Sequence, residues 1–196
     1  MNRRYVKNAL SALNPVITLF FALLVTLSPA AADQSDLRLD GLFNRLHDAR
    51  NPAVAKRTER EIWAIWHETP DDKSFEIMRA ARRSLDSGDF ATAIQRLDEL
   101  VTYAPDFAEA WNQRAIVLYL AEDYTGALRD IERTLALEPR HFGALSGRGQ
   151  VYLQLDELEM ALESFELALE RNPWMDNVHT QMEMIRARLN ARPRPI

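Results

Sequence analysis

The residues best suited to acid–base or metal chemistry are the histidines, and their spacing argues against both. The chain has four of them: His47, His67, His141 and His179. A zinc-binding helix carries two histidines one turn apart with a glutamate beside the first, because all three must reach one ion or its bound water. No two of the four histidines lie within one helical turn of each other. We therefore expect structural roles, with His141 in a turn between helices and with His47 and His67 partly buried.

The glycines and acids do not complete a catalytic site either. Gly143, Gly147 and Gly149 suggest a phosphate-binding loop only superficially, because they fall within a stretch that has helical periodicity. Acid pairs such as Asp98–Glu99 suit helix surfaces and helix caps. The chain has no cysteine, which excludes disulfides and thiolate metal sites. We expect no catalytic residue, no metal site and no cofactor.

A regular period is the main organising feature of the elements that carry these residues. Pro105, Pro139 and Pro173 are 34 residues apart, and other columns keep the same spacing. Alanine stands twelve residues before each proline, and a large apolar residue follows each alanine by four positions. The alanines are Ala93, Ala127 and Ala161, and the large residues are Leu97, Ile131 and Phe165. A further column of small residues holds Ala81, Ala115 and Gly149.

The period predicts two helices in each unit. Small residues recur where two helices cross closely, because a larger side chain would force the backbones apart. Acids at Asp89, Asp123 and Glu157 stand where the second helix of each unit begins, and we expect them to be its N-caps. Each proline should end that second helix, because the residue before a proline is pushed out of the α region.

These columns resemble the tetratricopeptide repeat (TPR) family, whose unit of 34 residues carries W-x2-L-G-x2-Y, then A-x3-F, then P. The resemblance covers three units, residues 74–107, 108–141 and 142–175. The last unit matches best, with Gly149, Tyr152, Ala161, Phe165, Ala168 and Pro173. Arg114 and Arg148 depart from the motif, which prefers leucine in their column. The implied fold is all-α, a helix-turn-helix repeat solenoid that forms a right-handed superhelix.

The resemblance also implies a concave groove lined by the first helix of each unit. Amide groups and the Tyr119 hydroxyl there would bond the backbone of an extended peptide or of a partner helix, Arg82 would reach an acidic group, and apolar positions would take side chains of the partner. Tyr119 is expected to be the main anchor, because it is large and amphipathic. The candidate groove residues are Arg79, Arg82, Asn112, Gln113, Tyr119 and Gln150.

Helical segments flank the three units on both sides. Residues 33–73 predict a degenerate helix pair that lacks the alanine column, and we expect it to cap the N-terminal end of the stack. Trp63 and Trp66 belong to this pair and are expected in the core or the cap rather than on an exposed platform. Residues 176–191 predict a capping helix with one polar face, because an array needs its last interface covered. Residues 192–196 predict a loose tail.

The N-terminus has the layout of a secretory signal peptide over residues 1–32. A basic start precedes the apolar run Val16–Leu27, and small residues follow, which predicts cleavage after Ala32. The apolar run is shorter than the roughly 20 residues that span a membrane. Retention of the segment as a membrane anchor remains the alternative.

The charge of the chain limits its partners. The whole chain has a formal charge of -5, and removal of residues 1–32 would make it about −8, a sign that argues against nucleic acid and anionic membranes. We therefore expect a non-enzymatic protein–protein interaction module, exported to a bacterial periplasm, whose partner is a protein or a peptide. The alternative is a membrane-anchored assembly factor for an envelope complex, which would contact the membrane only through its retained signal segment.

Overall fold

The structure is a computed structural model that describes residues 36–191. The predicted signal segment and the predicted tail lie outside these residues. Within them the chain forms nine helices and no strand. No helix in this part of the chain has both the length and the apolar character of a membrane span. The helices are α1 Leu37–His47, α2 Pro52–Trp66, α3 Asp72–Asp86, α4 Phe90–Tyr103, α5 Ala108–Leu120, α6 Tyr124–Leu137, α7 Phe142–Gln154, α8 Leu158–Arg171 and α9 Asp176–Ala191.

The three predicted units are three antiparallel helix pairs, α3–α4, α5–α6 and α7–α8. The second helix of one pair also packs on the first helix of the next, which joins the pairs into one array. The alanines of the repeat column, Ala93, Ala127 and Ala161, are fully buried. A Cβ atom placed on Gly149 would lie 2.5 Å from the ring of Phe165, so only glycine fits this crossing. The predicted all-α repeat solenoid is confirmed.

The turns inside the units follow the predicted capping pattern in two of three cases. Asp89 accepts a hydrogen bond from the Thr92 N–H at 3.0 Å, and Asp123 accepts one from the Gly126 N–H at 2.9 Å. Glu157 occupies the same position in the third unit but makes no side-chain cap. The residue one place before each cap is in the left-handed region, and these residues are Gly88, Glu122 and Asp156.

The C-terminal helix α9 closes the array as predicted. Val178, Met182 and Ile185 are buried and pack against α8, in a cluster that includes Leu158 and Phe165. These α9 residues recur every three or four positions, which places them on one helix face. Met184 on another face is half exposed.

The N-terminal pair, α1–α2, is present but does not cap the N-terminal end of the stack. Its core packs against Phe142 at the start of α7, and the Trp174 indole donates to the Leu46 carbonyl at 3.2 Å. Arg140 also bridges to Asp40 at 2.6 Å. The expected cap position is therefore corrected. The aromatic residues of α2 find apolar partners in the third unit, whereas α3 is rich in charged residues.

Helix α2 runs along one edge of the array, past the starts of successive helices. Near its own start, Pro52 and Lys56 border a recess with Asp176 of α9. Farther along, Trp63 contacts Gly143 of α7, and His67 at its end reaches Glu109 of α5. The N-terminal pair therefore forms a side wall to the face that α3, α5 and α7 share. We call that face the inner face.

Candidate functional site

An apolar cleft opens between α5 and α7 on the inner face, and we call it the inner pocket. Its volume is about 260 Å³. Residues from α5 and α7 recur there every three or four positions, so one stripe of each helix faces the cleft. Ile131 of α6 forms part of the lining. The lining residues are Asn112, Ala115, Ile116, Tyr119, Leu120, Ile131, Gly143, Gly147, Gln150 and Val151.

Two glycines of α7 border the inner pocket for different reasons. A Cβ atom on Gly143 would lie 2.5 Å from the Trp63 ring, so glycine is required for the N-terminal pair to approach. A Cβ atom on Gly147 would meet nothing closer than Ile131 Cδ1 at 3.8 Å, an ordinary contact. Glycine inside a helix costs roughly 0.5–1 kcal/mol relative to alanine. At position 147 no packing contact of the fold requires a glycine, so this cost has no explanation in packing.

The polar side chains around the inner pocket already have partners. Asn112 donates to Glu109 at 3.0 Å, and Gln150 donates to Gln181 at 2.6 Å. The Tyr119 hydroxyl accepts from Gln154 at 3.2 Å. Because these groups are satisfied, the cleft favours apolar contents. Its rim is apolar as well, because Ile116 and Leu120 are 40% and 45% exposed.

A second recess, the arginine pocket, lies between the end of α2, α3 and the start of α5. Its volume is about 380 Å³. Arg79 pairs with Glu76 on its own helix at 2.5 Å. Arg82 makes no ion pair or hydrogen bond within residues 36–191. The lining residues are His67, Thr69, Phe75, Met78, Arg79, Arg82, Glu109 and Gln113.

A buried carboxylate, that of Glu109, lies between the two pockets. Its side chain is 1% exposed and accepts from His141 Nε2 at 3.1 Å and from Gln113 at 2.6 Å. His67 Nε2 lies 3.1 Å from the Oε1 atom of the same carboxylate. Burial alone would raise the pKa of Glu109, but the bonds from His141 and His67 outweigh it and lower the pKa to about 2. Glu109 is therefore an anion held by hydrogen bonds.

His141 is neutral in this arrangement, as its two ring nitrogens indicate. Nδ1 accepts from the Ala144 backbone N–H at 3.0 Å and caps α7. A nitrogen that accepts carries no proton, so the proton is on Nε2, which donates to Glu109. The ring stacks on Trp66, with centroids 4.1 Å apart. The expected structural role in a turn is confirmed for His141, whereas His47 and His67, which were expected to be partly buried, are exposed. Within residues 36–191, no three His, Asp or Glu side chains are grouped as metal ligands.

The six predicted groove residues fall into two groups. Arg79, Arg82 and Gln113 line the arginine pocket. Asn112, Tyr119 and Gln150 line the inner pocket. Asn112 is buried rather than displayed, because its amide donates to Glu109 inside the array. The expectation that it offers a free amide to a partner is corrected, while the binding role of the other five stays a prediction.

Three residues that shape this region were not among the predicted site residues. Glu109 looks like an ordinary acid in the first turn of a helix, and its histidine partners are distant in sequence. Trp63 was expected in the core or the cap, not as a wall beside α7. Gly147 offered a usable signal, because a glycine within a helical pattern weakens the helix and calls for a packing or functional reason.

Comparison with known proteins agrees with this architecture. Family models described as tetratricopeptide repeat match residues 78–130 and 121–190. A TPR repeat-containing protein of Rhizobium etli is 31% identical over 159 residues, which are 81% of this chain and 78% of that protein. Human tetratricopeptide repeat protein 36 is 29% identical over 51% of this chain and 49% of its own length.

Solved structures share the fold at lower sequence identity. The first TPR of Spaghetti (RPAP3), bound to an HSP90 peptide, superposes with a TM-score of 0.59 at 21% identity, covering 61% of this chain and 94% of that one. The crystal structure of MamA gives 0.54 at 18% identity, with 76% and 74% covered. From its period, its buried small-residue crossings and these matches, the chain belongs to the tetratricopeptide repeat family.

Proposed function

We propose that this protein is a non-enzymatic interaction module that binds an extended segment of a partner protein on its inner face. The observation that carries the proposal is the inner pocket, an apolar cleft with exposed Ile116 and Leu120 at its rim. An exposed, contiguous apolar cleft is typical of protein-binding or ligand-binding surfaces. The neighbouring arginine pocket extends this surface across α5.

Related folds support a peptide as the ligand. The RPAP3 domain was solved with an HSP90 peptide, and a TPR domain of yeast Sti1 was solved as a complex with Hsp70. In the present chain, the N-terminal pair walls one edge of the inner face through Trp63 and His67. With one edge walled by these contacts, we take a single extended chain rather than a partner helix as the ligand.

A peptide selection tests the proposal. Random peptides displayed on phage are selected on the purified protein, and enriched peptides are measured by fluorescence polarisation. The double variant Ile116→Glu/Leu120→Glu should bind them at least about ten-fold more weakly, because it places charge at the apolar rim. Arg129→Glu on the exposed surface of α6 is the matched control and should bind normally. Equal binding by the double variant would contradict the proposal.

Export is the second part of the proposal, and it rests on the composition of residues 1–32. A basic start, the apolar run Val16–Leu27 and Ala30–Ala32 support a cleaved signal peptide and a periplasmic location. The same apolar run supports the alternative, a membrane-anchored assembly factor that retains the segment. N-terminal sequencing of protein from the native envelope separates the two. We expect Asp33 as the first residue, and Met1 or Asn2 on membrane-associated protein would favour the anchored form.

A further inference from the structure

We propose that the inner pocket takes one bulky apolar side chain of the partner peptide, that Gly147 keeps the pocket open for it, and that Arg82 pairs with an acidic side chain nearby. This inference rests on the proposed function and names the class of peptide. The peptide is an extended segment with a bulky apolar residue in the inner pocket and an acid on the side nearer α3. Gly147 is then a specificity-determining residue.

The dimensions of the inner pocket fit one large side chain. An apolar cavity of about 150 Å³ holds benzene, and the inner pocket measures about 260 Å³. Asn112, Gln150 and the Tyr119 hydroxyl each already make a hydrogen bond to a neighbouring side chain. A phenyl, indole or branched aliphatic group therefore suits it better than a polar one.

Gly147 is the observation that separates a ligand pocket from a packing gap. Glycine weakens a helix, and it is normally explained by a positive φ or by a close approach. Gly147 has neither, since its nearest neighbour would be an ordinary contact with Ile131, and it differs from Gly41, which also has open space around it, because it lines an apolar cleft. Gly143, one turn earlier, is explained by the approach of Trp63. What the missing side chain at Gly147 does provide is open volume in the inner pocket.

The second feature of the peptide, an acidic side chain, follows from the positive charge of the arginine pocket. The chain is acidic overall, with 29 acids against 24 basic residues, yet the arginine pocket carries Arg79 and Arg82. The acids near them are engaged, Glu76 with Arg79 and Glu109 with its hydrogen-bond donors. Arg82 is left for a partner carboxylate. A guanidinium with no ion pair or hydrogen bond inside residues 36–191 is well suited to pair with one across an interface.

The spacing between the two features follows from the helix that separates the pockets. Asn112 lines the inner pocket and Gln113, the next residue of α5, lines the arginine pocket. A helix is about 10 Å across, and an extended chain advances about 3.3 Å per residue. The acid should therefore stand about three residues from the apolar side chain.

The test uses peptides selected from the random phage library on the purified protein. We expect them to share a bulky apolar residue and an acid about three residues away. Gly147→Leu fills the inner pocket and should weaken their binding at least about ten-fold, as loss of a central contact does. Gly41→Leu is the matched control, because Gly41 also lies within a helix with open space around it. It should bind normally.

The Arg82 contact is tested by a double-mutant cycle. Arg82→Gln should weaken binding a few-fold for peptides that carry the acid, and exchange of that acid for its amide should abolish the difference. Gly147→Leu should melt no lower than the parent protein. If it melts lower, Gly147→Ala replaces it and should give a smaller but measurable loss of binding.

The outcomes separate this inference from the proposed function. Peptides that depend on Ile116 and Leu120 but bind Gly147→Leu as well as the parent would overturn the pocket inference alone. Peptides that bind without an acid, or that ignore Arg82→Gln, would overturn the charge pairing. Failure of the Ile116→Glu/Leu120→Glu variant to lose binding would overturn the proposed function itself.

Discussion

Glu109 is the residue on which three elements converge. Its carboxylate joins α5 to His67 at the end of α2 and to His141 at the start of α7. Two amides from its own helix, Asn112 and Gln113, complete the set of donors. Removal of this acceptor would leave buried donors without a partner, and each such group costs about 1–3 kcal/mol. The network therefore holds the N-terminal pair in place as well as the repeats.

The low pKa of Glu109 gives a pH prediction. Its folded pKa, about 2, is below the ordinary 4.5 of a glutamate, so the ionised form stabilises the fold. That contribution is fully present above pH ~5 and is lost as the pH falls towards 2. A depression of this size corresponds to about 3 kcal/mol. Urea unfolding should therefore lose more free energy between neutral and acidic pH in the parent protein than in Glu109→Gln.

The comparison of slopes is the informative part of that measurement. Glu109→Gln should be less stable at pH ~7 by about 1–3 kcal/mol. The carboxylate accepts hydrogen bonds on both oxygens, whereas the glutamine amide has one oxygen that accepts and an NH2 group that cannot. The two proteins differ in this one ionisable side chain. Parallel stability curves for the two proteins across the acidic range would refute the role of Glu109.

Among the helices, the contacts of Arg114 explain why this position departs from the repeat motif. It forms a two-pronged contact with Asp130 of α6, at 2.6 and 2.7 Å, and reaches Asp98 of α4 at 2.8 Å. The bond to Asp130 raises the pKa of the guanidinium. Asp130 is buried and Arg114 is 17% exposed, so this pair joins the two helices of one unit inside the array, and the contact with Asp98 links that unit to the preceding one. A leucine, which the motif prefers, would leave the Asp130 carboxylate unpaired.

Arg114→Leu should therefore be destabilising by about 3 kcal/mol, because it leaves a buried charge without a partner. Arg114→Leu/Asp130→Ser should recover at least half of that loss. The third unit supports this expectation, because Arg148 and Ser164 occupy the same two columns and meet at 3.1 Å. Chemical unfolding of the parent, both single variants and the double variant measures the coupling. Additive losses would contradict a direct partnership.

The elements that the sequence predicted well are those whose contacts are local. Each repeat crossing joins residues within one unit, as between Gly149 and Phe165, and the spacing of small and large residues reports it directly. The caps at Asp89 and Asp123 depend on the next three residues alone. Arg114 could be recognised as a departure from the repeat motif. Its contact with Asp98, which belongs to the preceding unit, could not be predicted from the pattern of one unit.

At the scale of the whole molecule, the placement of the N-terminal pair was beyond the sequence pattern. Trp174 bonds Leu46 across 128 positions of the chain, and no period links the two residues. The apolar content of α2 predicted burial but did not say against which unit. The groove was predicted as one continuous surface, and the buried Glu109 network divides it into two pockets.

Gly143→Ala tests the docking of the N-terminal pair. The added methyl group would lie 2.5 Å from the Trp63 ring and should push α2 away, at a cost of about 1–3 kcal/mol. We expect a red shift of tryptophan emission and faster proteolysis in the α2–α3 connection. Gly147→Ala, one turn further along α7, is the matched control and should stabilise the protein slightly. Equal behaviour of the two variants would contradict the contact.

The proposed function requires that a partner peptide binds on the inner face, between α5 and α7. Amide chemical-shift mapping by NMR with a selected peptide tests it most directly. We predict the largest changes at Gly143 and Gly147 and along α5 around Ile116, with little change on α4, on α8 and on α6 away from Ile131. Shift changes concentrated on those three helices, with the inner pocket unaffected, would contradict peptide binding on the inner face.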